Sequence, residues 1–276
     1  MSDARFHYGN PDKTGSWEQA ASIFAAHDSI NSVRTSSLPL VQFWKPKGNG
    51  WNKHATYLIQ KCDFEETEFK NAQFCFEYPV AVAQGRGKAS MTDLMIITNN
   101  YTIAIEAKWT EGEPETIGKW RNKGDAQNRD MVLEGWIDYI NDYLKYKAKE
   151  WRLPTKLSCY DEIPYQMLHR IASACVTAKE RGGTAAVIYQ LFYDGEHRKG
   201  SVSSFTSIDQ AKTTATFLNN SYKTLFPDNV QTGMDFHTVM IETEIKRETE
   251  IKAPYNDIFL LMQEKDVYDF KFPLKF

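Results

Sequence analysis

The sequence predicts an α/β fold: a central mixed β-sheet flanked by helices, with N-terminal helical and C-terminal α+β additions. Three observations carry this reading. Residues 92–98 and 101–108 are two apolar, β-branched runs on either side of Asn99-Asn100, the pattern of a β-hairpin. Strand-like and amphipathic helical runs then alternate along the chain, as in a layered α/β domain. Residues 184–192 form an almost wholly apolar run of strand length, a buried strand by composition.

Taken in order, Ser16 is the expected N-cap of an amphipathic helix over residues 17–26. Residues 37–50 hold Pro39, Pro46, Gly48 and Gly50 and are expected to be loop. Helical character resumes over 54–69. Residues 74–82 are the expected first core strand, where Pro79 points to an edge position or a bulge. A basic glycine loop, Gln84-Gly85-Arg86-Gly87-Lys88-Ala89-Ser90, leads into the hairpin. Residues 109–124 are polar and expected to begin irregularly. A long helix is expected over 128–151, with Val132, Trp136, Tyr139, Ile140, Tyr143 and Leu144 at helical spacing and Pro154 as its stop. A second helix over 164–181 should end at Gly182-Gly183. After the strand at 184–192 come a helix near 207–225 and strand-like runs around 235–243, 257–263 and 268–272. The expected divisions are a helical region over 1–70, a core over 71–195 and an α/β extension over 196–276, all in one globule.

Composition excludes several classes. The chain of 276 residues is 42% hydrophobic and 25% charged, a globular balance with enough length for a substantial core. No apolar run approaches the roughly 18–20 residues of a membrane span, and the first residues lack a signal-peptide core, so a cytoplasmic protein is expected. Cys62, Cys75, Cys159 and Cys175 are too scattered for a zinc ribbon or a disulfide frame. A net charge of −3 neither supports nor excludes a nucleic-acid partner. HExxH and GxSxG motifs are missing, and Gly87-Lys88 is followed by Ala89 where a Walker A loop needs Ser or Thr.

Chemistry concentrates at the open end of the hairpin. With Asn99-Asn100 as a two-residue loop, Thr98 faces Tyr101, and counting outward sets Asp93 opposite Glu106. Lys108, two residues beyond, shares the face of Glu106. Like charges directly opposed on a sheet destabilise it, their Cβ atoms being about 4.5–5.5 Å apart. A divalent cation between the carboxylates would turn repulsion into ligation, and hard oxygen ligands suit Mg²⁺ or Mn²⁺. Lys108 would then orient a water or steady charge on a phosphoryl oxygen. The competing reading is a structural ion cluster in which Lys108 merely neutralises the acids. Glu244-Ile245-Lys246 and Glu250-Ile251-Lys252 repeat the Glu-x-Lys pattern without an upstream hairpin carrying an Asp, and read as a solvated, charged ribbon.

Asp93, a hairpin, then Glu106-Ala107-Lys108 resembles the signature of the PD-(D/E)xK nuclease superfamily, the restriction-endonuclease-like fold, with Thr92 standing where the family name has proline. The resemblance covers about residues 74–192. It implies a core of a helix, three strands, a helix and a further strand. It also implies a metal, Mg²⁺ or Mn²⁺, held by Asp93 and Glu106, with the Ala107 carbonyl as a further ligand and Glu77 of the preceding strand completing the set. Lys108 is the implied residue that positions the attacking water or steadies the developing charge, and Gln166 is implied to point at the site from the helix that follows. The activity so implied is that of a metal-dependent nuclease, a DNA endonuclease foremost. An RNA-directed nuclease, or a silent member that binds nucleic acid or a protein partner, are the alternatives. Nucleic-acid contacts are expected from Arg86 and Lys88 of the glycine loop, and from Arg170, which shares a helix face with Gln166, His169 and Ser173. The basic and aromatic run at 145–152 is expected to be a solvated helix end. A second copy of the chain is a further expected partner; a membrane is not.

Overall fold

Seven strands form one mixed sheet in the computed structural model, which describes residues 4–9, 15–27, 30, 32–195, 206–246, 251 and 255–272. In chain order the elements are β1 (Arg5–Tyr8), α1 (Trp17–His27), α2 (Ser37–Phe43), β2 (Pro46–Lys47), β3 (Gly50–Trp51), α3 (Lys53–Lys61), β4 (Gln73–Val80), β5 (Ser90–Ile97) and β6 (Tyr101–Lys108). They continue with α4 (Ile117–Arg121), α5 (Ala126–Tyr146), α6 (Tyr165–Arg181), β7 (Thr184–Asp194), α7 (Ile208–Leu225), β8 (Met234–Ile245), α8 (Ile258–Glu264) and β9 (Tyr268–Lys271). The sheet runs β1-β4-β5-β6-β7-β8-β9, and β2 and β3 form a separate hairpin. The β4-β5-β6 meander is antiparallel, β7 and β8 continue parallel to β6, and β9 closes the edge antiparallel to β8.

Helices cover both faces, so the fold is α/β with a central mixed sheet. One core gathers Trp17 and Phe24 of α1, Leu38 of α2, Leu58 of α3 and Phe259 of α8 against Phe74, Phe76, Leu94 and Ile105. The other gathers Leu133 and Trp136 of α5, Met167 and Leu168 of α6 and Leu218 of α7 against Met95, Ala104 and Tyr189. No helix among the described residues is long and apolar enough to cross a membrane.

Local chemistry explains most boundaries. Gln19 N–H donates to Ser16 Oγ at 3.3 Å and Ser16 N–H to Gln19 Oε1 at 2.9 Å, a reciprocal cap for α1. Ser207 and Gln210 repeat it on α7, each such cap contributing about 1 kcal/mol. Gly182, at φ +87°, ends α6 in the left-handed conformation that only glycine adopts without strain.

Four stretches differ from expectation. Residues 37–50 are not loop: Pro39 lies in the first turn of α2, where no helical partner awaits its missing N–H, and Gly48 (φ +60°) turns the β2–β3 hairpin. The strand-like run at 257–263 is α8, with Ile258, Phe259 and Met262 buried at helical spacing and Phe259 stacked on Phe24 at 5.0 Å. A short apolar run fits either period, and the docking surface of α1 decides it. The long helix ends at Tyr146, not near 151: Ala148 takes φ +53° and Lys149 N–H returns to the Leu144 carbonyl at 2.8 Å. The region 1–70 is not wholly helical, since β1 pairs parallel with β4 at the sheet edge.

Candidate functional site

The hairpin register is as counted from the turn. Thr98 N–H donates to the Tyr101 carbonyl at 2.9 Å, and the ladder pairs Ile97 with Thr102, Ile96 with Ile103, Met95 with Ala104 and Leu94 with Ile105. There it stops. Asp93 and Glu106 come next, and Ala107 N–H goes to Asp93 Oδ2 at 2.8 Å.

The pleat changes at the same row of the neighbouring strand. The β4–β5 register runs through Phe76 with Leu94 and Tyr78 with Thr92, so Glu77 is the residue in line with Asp93, and it takes φ +51°. Below the kink Phe74 and Phe76 point into one core; above it Tyr78 and Val80 point into the other. Three acids, Glu77, Asp93 and Glu106, therefore lie in one row across three strands where regular pairing lapses. The β1 strand, which pairs with β4 only as far as Phe76, leaves Pro79 beyond its reach.

Glu106 is 1% exposed and wholly engaged. Lys108 Nζ donates to its Oε1 at 2.7 Å, and Arg170 Nε of α6 donates to its Oε2. Burial pushes the Glu106 carboxyl up, but the Arg170 and Lys108 charges outweigh it and hold the group below its ordinary value. Asp93 is less well served: its Oδ1 lies 3.7 Å from Arg170 Nη2, and its side chain keeps 23% of its surface exposed. Burial first, then the Glu106 charge, push the Asp93 carboxyl up to about 7 against the pull of Arg170, Lys108 and the Ala107 N–H. The two acids raise the Lys108 ammonium above its usual value despite burial, so it stays charged.

Arg170 is the residue that reading the sequence missed in this role. Expected at a nucleic-acid surface, it is 3% exposed and spans the site, its Nη1 reaching Ser90 Oγ at 3.2 Å and Thr92 Oγ1 at 3.5 Å. His169 Nδ1 meets Ser90 Oγ at 2.9 Å; burial, with Arg170 and Lys108 nearby, drives its pKa well below normal and keeps the ring neutral. Tyr189, paired in register with Glu106 on β7, is buried, and its hydroxyl has no hydrogen-bond partner among the described residues. Ser173 returns its hydroxyl to the His169 carbonyl and takes no part in the site.

Gln166 is half-buried one turn before Arg170 on α6 and shares its face. Ala107 turns its side chain into the opposite core while its N–H, and with it the carbonyl of an extended residue, faces β5. Arg86 and Lys88 are exposed on the glycine loop. Of the two other Glu-x-Lys patterns, Glu244 lies in β8 opposite Asp269, with Lys271 at 3.8 Å, and Lys246 pairs with Asp269 at 3.4 Å, a surface ladder. Glu250 and Lys252 lie outside the described residues.

The donor set suits a hard cation. Among the described residues no group of three or more His, Cys, Asp or Glu is placed to hold a metal, yet Mg²⁺ commonly uses one or two carboxylates and completes its shell with water and substrate phosphate. A carboxylate offers about four acceptor positions, and Asp93 has a single close donor, on Oδ2. Asp93 and the Ala107 carbonyl thus fit such an ion, and Glu106 can join them through the acceptor positions that Lys108 and Arg170 leave on its two oxygens.

Residues 13–244 match the model of a family described as a domain of unknown function, DUF6946. No curated protein and no solved structure matches the chain.

Proposed function

The chain belongs to the DUF6946 family, a domain of unknown function, and from the geometry of its site we propose that it is a metal-dependent phosphodiesterase acting on nucleic acid, DNA foremost. The observation that carries the reading is the convergence of Asp93, Glu106 and Lys108 on one sheet face where the ladder opens, with Asp93 partly exposed and short of donors. The order α3, β4, β5, β6, α6, β7, with α4 and α5 inserted between β6 and α6, supports it, since it contains the helix, three strands, helix and strand of PD-(D/E)xK nucleases. Three free thiols, Cys62, Cys75 and Cys175, are buried, which suits a cytoplasmic setting.

Mg²⁺ or Mn²⁺ held by Asp93, Glu106 and the Ala107 carbonyl would supply Lewis acidity and a water of lowered pKa. Lys108 is a cation and not a base as it stands: it orients the attacking water and stabilises charge growing on a phosphoryl oxygen. Arg170 keeps Glu106 ionised and fixes its rotamer. Gln166, on the Arg170 face, is placed to hold the water or a phosphate oxygen. Glu77 lies at the edge of the same row, but Glu77, Asp93 and Glu106 do not form a group placed to share one metal, so Glu77 is not counted among the ligands.

A second reading has its own observation. Arg170 and Lys108 already balance the two acids, as expected of a silent member in which the cluster is structural. Plasmid incubated with the wild-type protein and Mg²⁺, with chelator added, and with Lys108→Ala separates the two. Cleavage that needs Mg²⁺ and Lys108 supports the phosphodiesterase; equal cleavage by Lys108→Ala sinks it. Calorimetry showing no Mg²⁺ binding that depends on Asp93 favours the silent reading.

A further inference from the structure

Beside the acid cluster lies a groove of about 350 Å³ between the glycine loop and α5, at the lower end of small-molecule sites. Its walls include Arg86, Lys88, Trp120, Arg129, Trp136 and Tyr165, with three cations and no carboxylate among the lining residues of a chain whose net charge is −3. Ser90 belongs to the groove and to the site alike, since it meets His169 and the Arg170 that holds Glu106.

The groove is built from flat groups. Trp120 and Tyr165 stack with ring centroids 3.8 Å apart and planes 10° apart, and the Arg129 guanidinium lies over Trp120 at 4.8 Å from its centroid. Trp136 Nε1 donates to the Tyr165 hydroxyl at 3.3 Å, which fixes the second aromatic wall. The basic rim is equally fixed. Arg86 N–H donates to Asn128 Oδ1 at 2.6 Å and Asn128 Nδ2 donates to the Arg86 carbonyl at 2.9 Å, so both backbone groups of Arg86 are tied to α5. Gly85 makes this approach possible: at φ +78°, a Cβ on it would come within 2.6 Å of Val132 Cγ2. The loop is thus a pinned arm that offers two exposed cations to the mouth of an aromatic slot.

We infer that this groove seats one unpaired nucleotide, its base extending the Arg129–Trp120–Tyr165 stack and its phosphate on Arg86 and Lys88, so that the neighbouring site acts on single-stranded nucleic acid. The inference rests on the phosphodiesterase reading for its last step and on the groove for the rest. A base within a duplex is already stacked on both faces and cannot enter a slot of this size without flipping out, whereas a single strand presents its π-faces freely. Aromatic stacking beside a cationic rim is how proteins hold single strands irrespective of sequence.

The test measures fluorescence anisotropy of a labelled oligo(dT) single strand and of a duplex of equal length on the Asp93→Asn protein, which separates binding from cleavage. The single strand should bind about tenfold or more tightly than the duplex. Trp120→Leu should weaken single-strand binding by about tenfold or more and leave duplex binding nearly unchanged. Arg86→Ala/Lys88→Ala, on the exposed loop and no threat to folding, should reduce the slope of log affinity against log salt by about one to two. Equal or tighter duplex binding, or oligo(dT) affinity and salt slope unchanged in both variants, overturns the inference. Wild-type protein that cuts duplex but spares single strands overturns the groove and keeps the phosphodiesterase. Oligo(dT) binding that depends on Trp120, with no cleavage of any strand, keeps the groove and ends the phosphodiesterase reading.

Discussion

Asp93 Oδ2 accepts the Ala107 N–H at 2.8 Å, one step past Leu94–Ile105, the last pair of the β5–β6 ladder. With Thr98 N–H on the Tyr101 carbonyl, hydrogen-bonded pairs alternate up the hairpin, and Thr92–Ala107 would be the next of them. A carboxylate replaces that pair. Asp93 is thereby held at the mouth of the sheet, opposite Glu106, with its side chain 23% exposed and its other oxygen 3.7 Å from Arg170 Nη2.

Metal binding is expected to track this carboxyl. A cation needs Asp93 ionised, and its carboxyl sits at about 7, so Mg²⁺ affinity should fall about tenfold for each pH unit below 7 and level off above it. Calorimetric titrations across that range check it. Affinity that is flat from about pH 5.5 to pH 7.5 would show that Asp93 is not a ligand.

Stability without metal should move the other way. Because the Asp93 carboxyl is raised in the folded state, the native protein binds more protons than the unfolded chain between the ordinary carboxylate range and about 7. Rising pH therefore removes stability across that window and has no further effect through this group above it. Asp93→Asn, which imitates the protonated acid, should be more stable than wild type near pH 8 and closer to it near pH 5. Urea midpoints in chelator decide the matter; a difference that does not change with pH would falsify the assignment.

Arg170 is the counter-ion of a buried carboxylate, and its loss should be costly. Arg170→Met leaves Glu106, 1% exposed and beside Asp93, with Lys108 as its remaining close cation, an effect of up to about 3–5 kcal/mol on unfolding free energy. Glu106→Gln added to it should restore much of that loss, since the two residues share one interaction. Losses that simply add in the double variant would mean the pair is not coupled.

Gly85→Ala probes the pinned loop. The new Cβ meets Val132 at a left-handed φ, so the loop shifts off α5 at a global cost of about 1 kcal/mol, while oligonucleotide affinity falls as in the Arg86/Lys88 variant. Undiminished affinity would show that the position of Arg86 does not matter.

Sequence periodicity alone determined the α/β class, the hairpin and its register, because a two-residue turn and alternating side chains are local properties of the chain. It likewise located α6 with its glycine stop, α7, and the juxtaposition of Asp93, Glu106 and Lys108. Short or ambiguous stretches were settled elsewhere: α8 is a helix because Phe24 of α1 offers Phe259 a partner, and β1 is a strand because β4 has an open edge. The full set of counter-ions was likewise out of local reach. Opposed acids in a hairpin require positive charge, and Lys108 was legible in the hairpin itself, but the second cation, Arg170, comes from a helix 64 residues beyond Glu106. Only the packing of α6 on the sheet brings it there, together with Ser90 and Thr92 from β5 and the aromatic groove alongside, because those contacts join segments whose separation along the chain leaves no periodic trace.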